Sequence, residues 1–263
     1  MKDGKTIAIL NHKGGVGKTT ITFNFGAELA KKGYKVLLID FDSQANLTKS
    51  TCENPRFKET IAEAIAEVIN GNFEALDPQK YINKTSISEN LNIIPSDIRL
   101  ADAQEALNNA VAREQILKIL IDEIKAMEVY DYILIDNAPS VRIDFQNACV
   151  ASDEILIVTE PREFSTDGMD SLIFNTEKVR KFLKPALAIK GILINKADMR
   201  TNMTKAMIDF IREKYSQYNV YDTVVPHSVK VAESQFLVKS LCDYDKNNAA
   251  SEAIMKFTDE YLI

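Results

Sequence analysis

The 263-residue sequence predicts an α/β domain, a mostly parallel sheet with helices on both faces, and three observations carry that expectation. Short runs of Ile, Leu and Val alternate with longer amphipathic stretches, the pattern of strands and helices taken in turn. A glycine-rich run, Lys13-Gly14-Gly15-Val16-Gly17-Lys18-Thr19-Thr20, stands between the first apolar run and the first amphipathic one. Two further apolar runs finish in carboxylates, one at Asp40 and Asp42 and the other at Asp136.

The strands are expected over Thr6 to Asn11, Lys35 to Asp40, Leu91 to Pro95, Asp131 to Asp136, Glu154 to Thr159, Ile189 to Asn195 and Val220 to Val225. Their near-continuous apolar character implies burial on both faces, as in a parallel sheet. Between them, Lys18 to Lys32 reads as a helix closed by Gly33, and Glu59 to Ile69 as one with Ile61, Ile65, Val68 and Ile69 on a single face. The final stretch, Asn248 to Ile263, carries an apolar stripe of Ile254, Phe257 and Tyr261 beside Glu252, Lys256, Asp259 and Glu260. An acidic face is repelled by anionic lipid, so the stretch reads as a docked last helix and no membrane partner is expected. In such sheets ligands sit beyond the carboxyl ends of the strands, where all the polar residues singled out here fall.

With 46% hydrophobic residues the chain can bury one large core, and no linker, repeat or low-complexity tract divides residues 1–263. The start, Met1-Lys2-Asp3-Gly4-Lys5, leads straight into the first strand, with no room for a signal peptide or an N-terminal helix-turn-helix module. The apolar stretch Ala186 to Ile194 is broken by Lys190 and is too short to span a bilayer, so a cytoplasmic location is expected. Cys52, Cys149 and Cys242 are odd in number and widely spaced, which suggests three reduced thiols and neither disulfides nor a metal or iron–sulfur site. A net charge of −6 speaks against a generally basic surface but leaves room for a local anion-binding patch.

The glycine run is what a phosphate-binding loop needs. Glycines let N–H groups turn inward around an anion, the following helix aims its positive end at the phosphates, and Lys18 and Thr19 can reach the terminal phosphates and a Mg²⁺. The general pattern G-x-x-x-x-G-K-[ST] nevertheless fails, because position 12 is His12, and a second lysine, Lys13, stands at the mouth of the loop. In these residues the chain resembles the ParA/MinD family of deviant Walker A ATPases, and most closely its DNA-partitioning branch. The likeness is strongest over residues 5 to 50, 130 to 140 and 190 to 235, whereas residues 50 to 125, with Lys49, Lys58 and Arg99, are weakly diagnostic.

The resemblance implies a P-loop NTPase fold, ATP and Mg²⁺ as cofactors, and a homodimer with ATP between the subunits. It assigns ATP to Lys13, Gly14, Gly15, Val16, Gly17, Lys18, Thr19 and Thr20, with Lys13 reaching the partner's nucleotide, and it places adenine against Asn195 and Pro226. Asp42 would hold the attacking water. Thr19, Asp40 and Asp136 would organise the metal, with turn-capping as the alternative task for either Asp40 or Asp42. Two departures from the family pattern are Asp42-Ser43-Gln44 in place of Asp-Pro-Gln, and Asn137-Ala138-Pro139-Ser140 in place of Asp-x-Pro-Pro. Arg200 and Lys230 occupy positions that contact nonspecific DNA, and His227 stands where arginine is common. A ParB-type partner would stimulate hydrolysis, and the ATP-bound form would associate with the nucleoid. Three other readings stay open: a MinD-like ATPase acting on membrane or protein cargo, a GTPase using Asn195-Lys196-Ala197-Asp198, and a kinase-like ligase whose acceptor pocket the sequence does not locate.

Overall fold

The structure is a computed structural model that describes residues 4–71, 76–162 and 165–263. Met1 to Asp3, on which the reading of the chain start rests, and residues 72–75 of the weakly diagnostic stretch lie outside the described residues. The elements follow in the order β1 (Lys5–Leu10), α1 (Lys18–Lys31), β2 (Val36–Phe41), α2 (Asn46–Thr51), α3 (Ile61–Ile69), β3 (Asn83–Lys84), β4 (Leu91–Ile94), α4 (Leu100–Leu107), α5 (Ile116–Ala126), β5 (Tyr132–Asn137), α6 (Ile143–Ala151) and β6 (Glu154–Thr159). They continue with α7 (Ser165–Phe182), β7 (Ala188–Ala197), α8 (Asn202–Lys214), β8 (Val220–Pro226), α9 (Lys230–Phe236), α10 (Leu241–Tyr244) and α11 (Ala249–Leu262). The sheet runs β3-β4-β2-β5-β1-β6-β7-β8, parallel throughout except for the antiparallel β3. All seven expected strands are present. The eighth, β3, has two residues, too few for any periodicity to reveal it.

Alternation along each strand feeds two separate cores, one on each face of the sheet. Ala8, Leu10, Ile133, Ile135 and Ile157 pack with α3 to α8, while Ile7, Ile9, Leu38, Leu134 and Val158 pack with α1 and α11. Gly33 ends α1 with φ 92°, its N–H bonded to the Ala30 carbonyl, the left-handed position where glycine costs least. Helix α3 starts two residues later than expected. Thr60 forms a reciprocal capping box with Glu63, so the helix begins at Ile61 and buries Ile61, Ile65 and Val68.

Helix α11 is docked, as its stripe requires. Ile254, Phe257 and Tyr261 are buried, with Phe257 and Tyr261 packed on Phe25 of α1 at ring distances of 5.2 and 4.9 Å. Each such burial is worth about 1.5–3 kcal/mol, so the stripe is spent on the core. Among the described residues no helix is long and apolar enough to cross a membrane. Both edges of the sheet are blunted. At one, β3 covers β4. At the other, Glu260 of α11 accepts the N–H groups of Asp222 and Thr223 in β8 at 2.6 and 3.1 Å, and Arg212 of α8 donates to the Asp222 carbonyl at 3.0 Å. The three cysteines are buried and unpaired.

Candidate nucleotide site

The central strand β1 delivers the glycine run to the carboxyl edge of the sheet, flanked by the ends of β5 and β6. Asn11 fixes the departure: its Nδ2 donates to the Val158 carbonyl at 2.7 Å and its Oδ1 accepts the Lys13 N–H at 2.9 Å. Gly15 and Gly17 have φ of 81° and 92°, and a Cβ on Gly17 would stand 2.3 Å from the Asn195 amide nitrogen. Glycine is therefore required at 17 on two counts, backbone conformation and space. Among the described residues no backbone acceptor takes the N–H groups of Gly15, Gly17 or Lys18, whereas the carbonyls beside them are held. Lys18 Nζ donates to the Lys13 carbonyl at 3.2 Å, Asn195 Nδ2 to that of Val16 at 2.8 Å, and Lys196 Nζ to that of Gly15. Inward donors with no protein acceptor at the start of a helix make an anion cradle.

Behind the loop stand the carboxylates. Asp40 and Asp136 are neighbours in the β2–β5 register, at most 1% exposed, beside the 7% exposed Lys18. Thr19 Oγ1 donates to Asp136 Oδ2 at 2.6 Å, and Thr22, which the motif does not single out, lies 3.5 Å from Asp136 Oδ1. Burial pushes Asp136 up from the usual carboxylate range, and the adjacent Asp40 adds to the effect. Burial likewise pushes Asp40 up to about 7 and draws Lys18 down from the usual lysine range against the pull of Asp136 and Asp42. A hydroxyl and a carboxylate in hydrogen-bonding contact next to an open phosphate cradle fit the oxygen-donor set of a Mg²⁺.

Asp40 is otherwise engaged. Its Oδ2 accepts the Thr48 N–H and hydroxyl at 2.8 and 2.7 Å, and its Oδ1 accepts the Asp42 N–H at 3.3 Å. Both oxygens thus hold the turn into α2. Asp42 lines the cavity with its Oδ1 on the Gln44 N–H at 2.9 Å. His12 packs edge-on against Phe145, and burial together with the Lys18 charge pushes it down to about 4, leaving it neutral. The stem of Lys13 lies over Gly168 of α7 and is not on the cavity wall.

Two cavities meet at this edge. One, of about 670 Å³, is lined by the glycine run, Lys18, Thr19, Asp42 and Asn137, and by Asn46, Lys49 and Ser50 of α2. The other, of about 360 Å³, is lined by Asn195, Val225, Pro226, His227, Val229, Val231, Ala232 and Ile254. Thr20, Lys196 and Gln235 belong to both walls, and Gln235 donates to Thr20 at 3.3 Å. The sequence singles out Asn195 and Pro226 for the second cavity. It gives no signal for Lys49, Ser50, Gln235 or the exposed Phe236, because these lie on short helices whose position depends on tertiary packing. His227, which stands where arginine is common, lines the second cavity, with its N–H on the Ala197 carbonyl at 3.1 Å.

Asp198, which a guanine reading needs at the base, is on neither wall. Arg200 grips both its oxygens at 2.7 Å, holding its carboxyl down at about 2. Arg200 is thereby ion-paired although its side chain is 88% exposed, and Lys230 is paired with Glu233 at 2.8 Å. In the weakly diagnostic stretch, Arg99 clasps Asp97 and Glu63 and the carbonyls of Phe57 and Lys58, a structural role at the start of α3.

A family model described as an AAA domain matches residues 4–189. The sporulation initiation inhibitor protein Soj of Bacillus subtilis (strain 168) is 35% identical over 257 residues, covering 98% of each chain. The chromosome partitioning protein ParA of Caulobacter vibrioides is 31% identical over 258 residues, covering 98% of this chain and 94% of its own. Among solved structures, the septum site-determining protein MinD of Pyrococcus horikoshii OT3, complexed with Mg-ADP, superposes with a TM-score of 0.73 at 26% identity, covering 98% of this chain and 95% of that one.

Proposed function

The chain belongs to the ParA/MinD family of P-loop ATPases, and on that footing we propose that it is a ParA-like partitioning ATPase, which dimerises around ATP, binds DNA without sequence preference and lets go after hydrolysis. The observation that carries the nucleotide reading is the pair of joined cavities, an anion cradle with Lys18 and the Thr19–Asp136 contact at one end and an apolar slot at the other. Lys18 would hold the terminal phosphates, Thr19 and Asp136 the Mg²⁺ with its waters, and Asp42 the attacking water. Magnesium supplies charge neutralisation at the phosphates when bound. Asp40 keeps the loop carrying Asp42 in place through Thr48.

Adenine is favoured over guanine at the slot. Guanine is selected by a carboxylate facing its N–H groups, and no carboxylate lines the slot, whose polar residues are Thr20, Asn195, Lys196, His227, Ser228 and Gln235, while Asp198 is committed to Arg200. Lys13, directed away from its own cavity, would serve a partner's nucleotide, which makes hydrolysis depend on dimerisation. Arg200 and Lys230 would bind DNA phosphates by exchanging Asp198 and Glu233 for them, a salt-sensitive contact without sequence information. A ParB-type partner would accelerate hydrolysis, and the ATP-bound dimer would sit on the nucleoid.

A specific observation also favours the second reading, an ATPase that positions protein or membrane cargo: both expected DNA contacts are already neutralised by acids on the same face. Fluorescence anisotropy with random-sequence duplex DNA and Asp42→Ala protein, in ATP, ADP, GTP or no nucleotide, separates the two. Salt-sensitive binding in ATP alone is the result expected of the partitioning ATPase. Binding under none of them, with ATP affinity established separately, would move the cargo away from DNA.

A further inference from the structure

The loop after β7 brings Lys196 to the boundary of the two cavities. Its backbone is left-handed, φ 54°, a conformation that a long side chain adopts only where its surroundings hold it. Three contacts do so. Its Nζ donates to the Gly15 carbonyl and lies 3.5 Å from Glu160 Oε1. The adjoining Ala197 is fixed in register with Pro226 and accepts the His227 N–H. Its stem packs on the phosphate loop, with Cε 3.6 Å from where a Cβ of Gly17 would stand.

The consequence follows from the planarity of the peptide unit. In a trans peptide the carbonyl of one residue and the N–H of the next point in opposite directions. Holding the Gly15 carbonyl therefore fixes the direction of the Val16 N–H, and holding that of Val16 fixes the direction of the Gly17 N–H. Lys196 does the first and its neighbour Asn195 the second. Glycines at 14, 15 and 17 leave the loop conformationally free, so an ungripped loop would have to be ordered by the ligand at the moment of binding.

Resting on the reading that this site binds a nucleotide, we propose that Lys196 is a positioning residue which presets the anion cradle by gripping the Gly15 carbonyl, and so raises affinity for the polyphosphate whichever base is attached. Glu160 orients the ammonium from the far side.

The test compares wild type with Lys196→Asn, which tolerates the left-handed backbone but cannot reach Gly15, and Lys196→Arg, which can. Affinity is read by displacement of a fluorescent ADP, once with ATP and once with inorganic triphosphate, and KM and kcat are measured beside it. The expected result is an about tenfold loss for both competitors and a raised KM at unchanged kcat in Lys196→Asn, with recovery in Lys196→Arg. Triphosphate affinity equal to wild type in Lys196→Asn, at whatever cost to ATP, would overturn the proposal, as would a lowered kcat at unchanged KM. Failure of wild type itself to bind ATP or ADP would sink the nucleotide reading and the inference with it, a result distinguishable from the others because it precedes any substitution.

Discussion

The two ends of the cleft handle charge in opposite ways. At the phosphate end Lys18, Asp40 and Asp136 are nearly inaccessible to water, and burial drives all three toward their neutral forms. At the base end apolar side chains line the pocket beside Asn195, Lys196, His227 and Gln235, no carboxylate is buried there, and Asp198 with Arg200 and Lys230 with Glu233 stay at the surface, paired with one another. Buried charge is expensive unless a ligand of opposite sign completes it, whereas an exposed ion pair forms and dissolves at little cost. The first end is therefore committed to one ligand, and the second is free to exchange partners.

Substitutions at the committed end have the largest expected effects. Lys18→Ala lowers ATP affinity on the order of 100-fold or more, read by titration with a fluorescent ATP. Asp42→Ala keeps ATP binding and ATP-dependent dimers while cutting phosphate release about 100- to 10,000-fold. A variant that stays monomeric in ATP would break the assignment of Asp42 to the water.

Next in size is a pH effect peculiar to the buried acids. The folded chain keeps a proton on Asp40 up to about pH 7, which the unfolded chain gives up in the ordinary carboxylate range, so stability falls as pH rises across that interval. The melting temperature of the nucleotide-free protein is expected to rise by about 2–4 °C from pH 8 to pH 6. Mg-ADP or Asp136→Asn flattens that slope, by completing the charges or by removing one. An unchanged slope in both would mean that the pair does not share its charge.

Smaller effects belong to the exchangeable end. Ala232→Phe overfills the apolar slot and costs about tenfold in ATP affinity, with inorganic triphosphate binding unaltered. Smallest of all, Asp198→Ala leaves the ratio of ATP to GTP affinity within about twofold of wild type and strengthens salt-dependent DNA binding a few-fold by releasing Arg200. Loss of base preference in that variant would contradict the separation of the two ends.

The same contrast explains what could be read in the sequence. The strands and the phosphate loop are legible because continuous apolar runs, glycines and strand-end aspartates each have one inexpensive structural explanation. Asp136 at Thr19 and Pro226 at the apolar slot follow from that order. Which of Asp40 and Asp42 caps the turn is not legible in the sequence, since the Thr48 that engages Asp40 lies on a helix only six residues long. Lys49, Gln235 and Lys196 reach the cavities by tertiary placement, which no periodicity encodes. The acidic partners of Arg200 and Lys230, Asp198 two residues before and Glu233 three residues after, are not distinguishable in the sequence from ordinary surface charges.

The blunted edges of the sheet bear on how copies of this chain can meet. A strand with unsatisfied amides at a sheet margin is a template for indefinite polymerisation, and here one margin is β3, only two residues long, while at the other Glu260 and Arg212 take groups of Asp222 and Thr223. Growth by strand addition is thereby disfavoured at both ends, leaving association to surfaces that a nucleotide can regulate. Glu260, whose charge disfavours anionic lipid, thus also occupies amide groups of that margin.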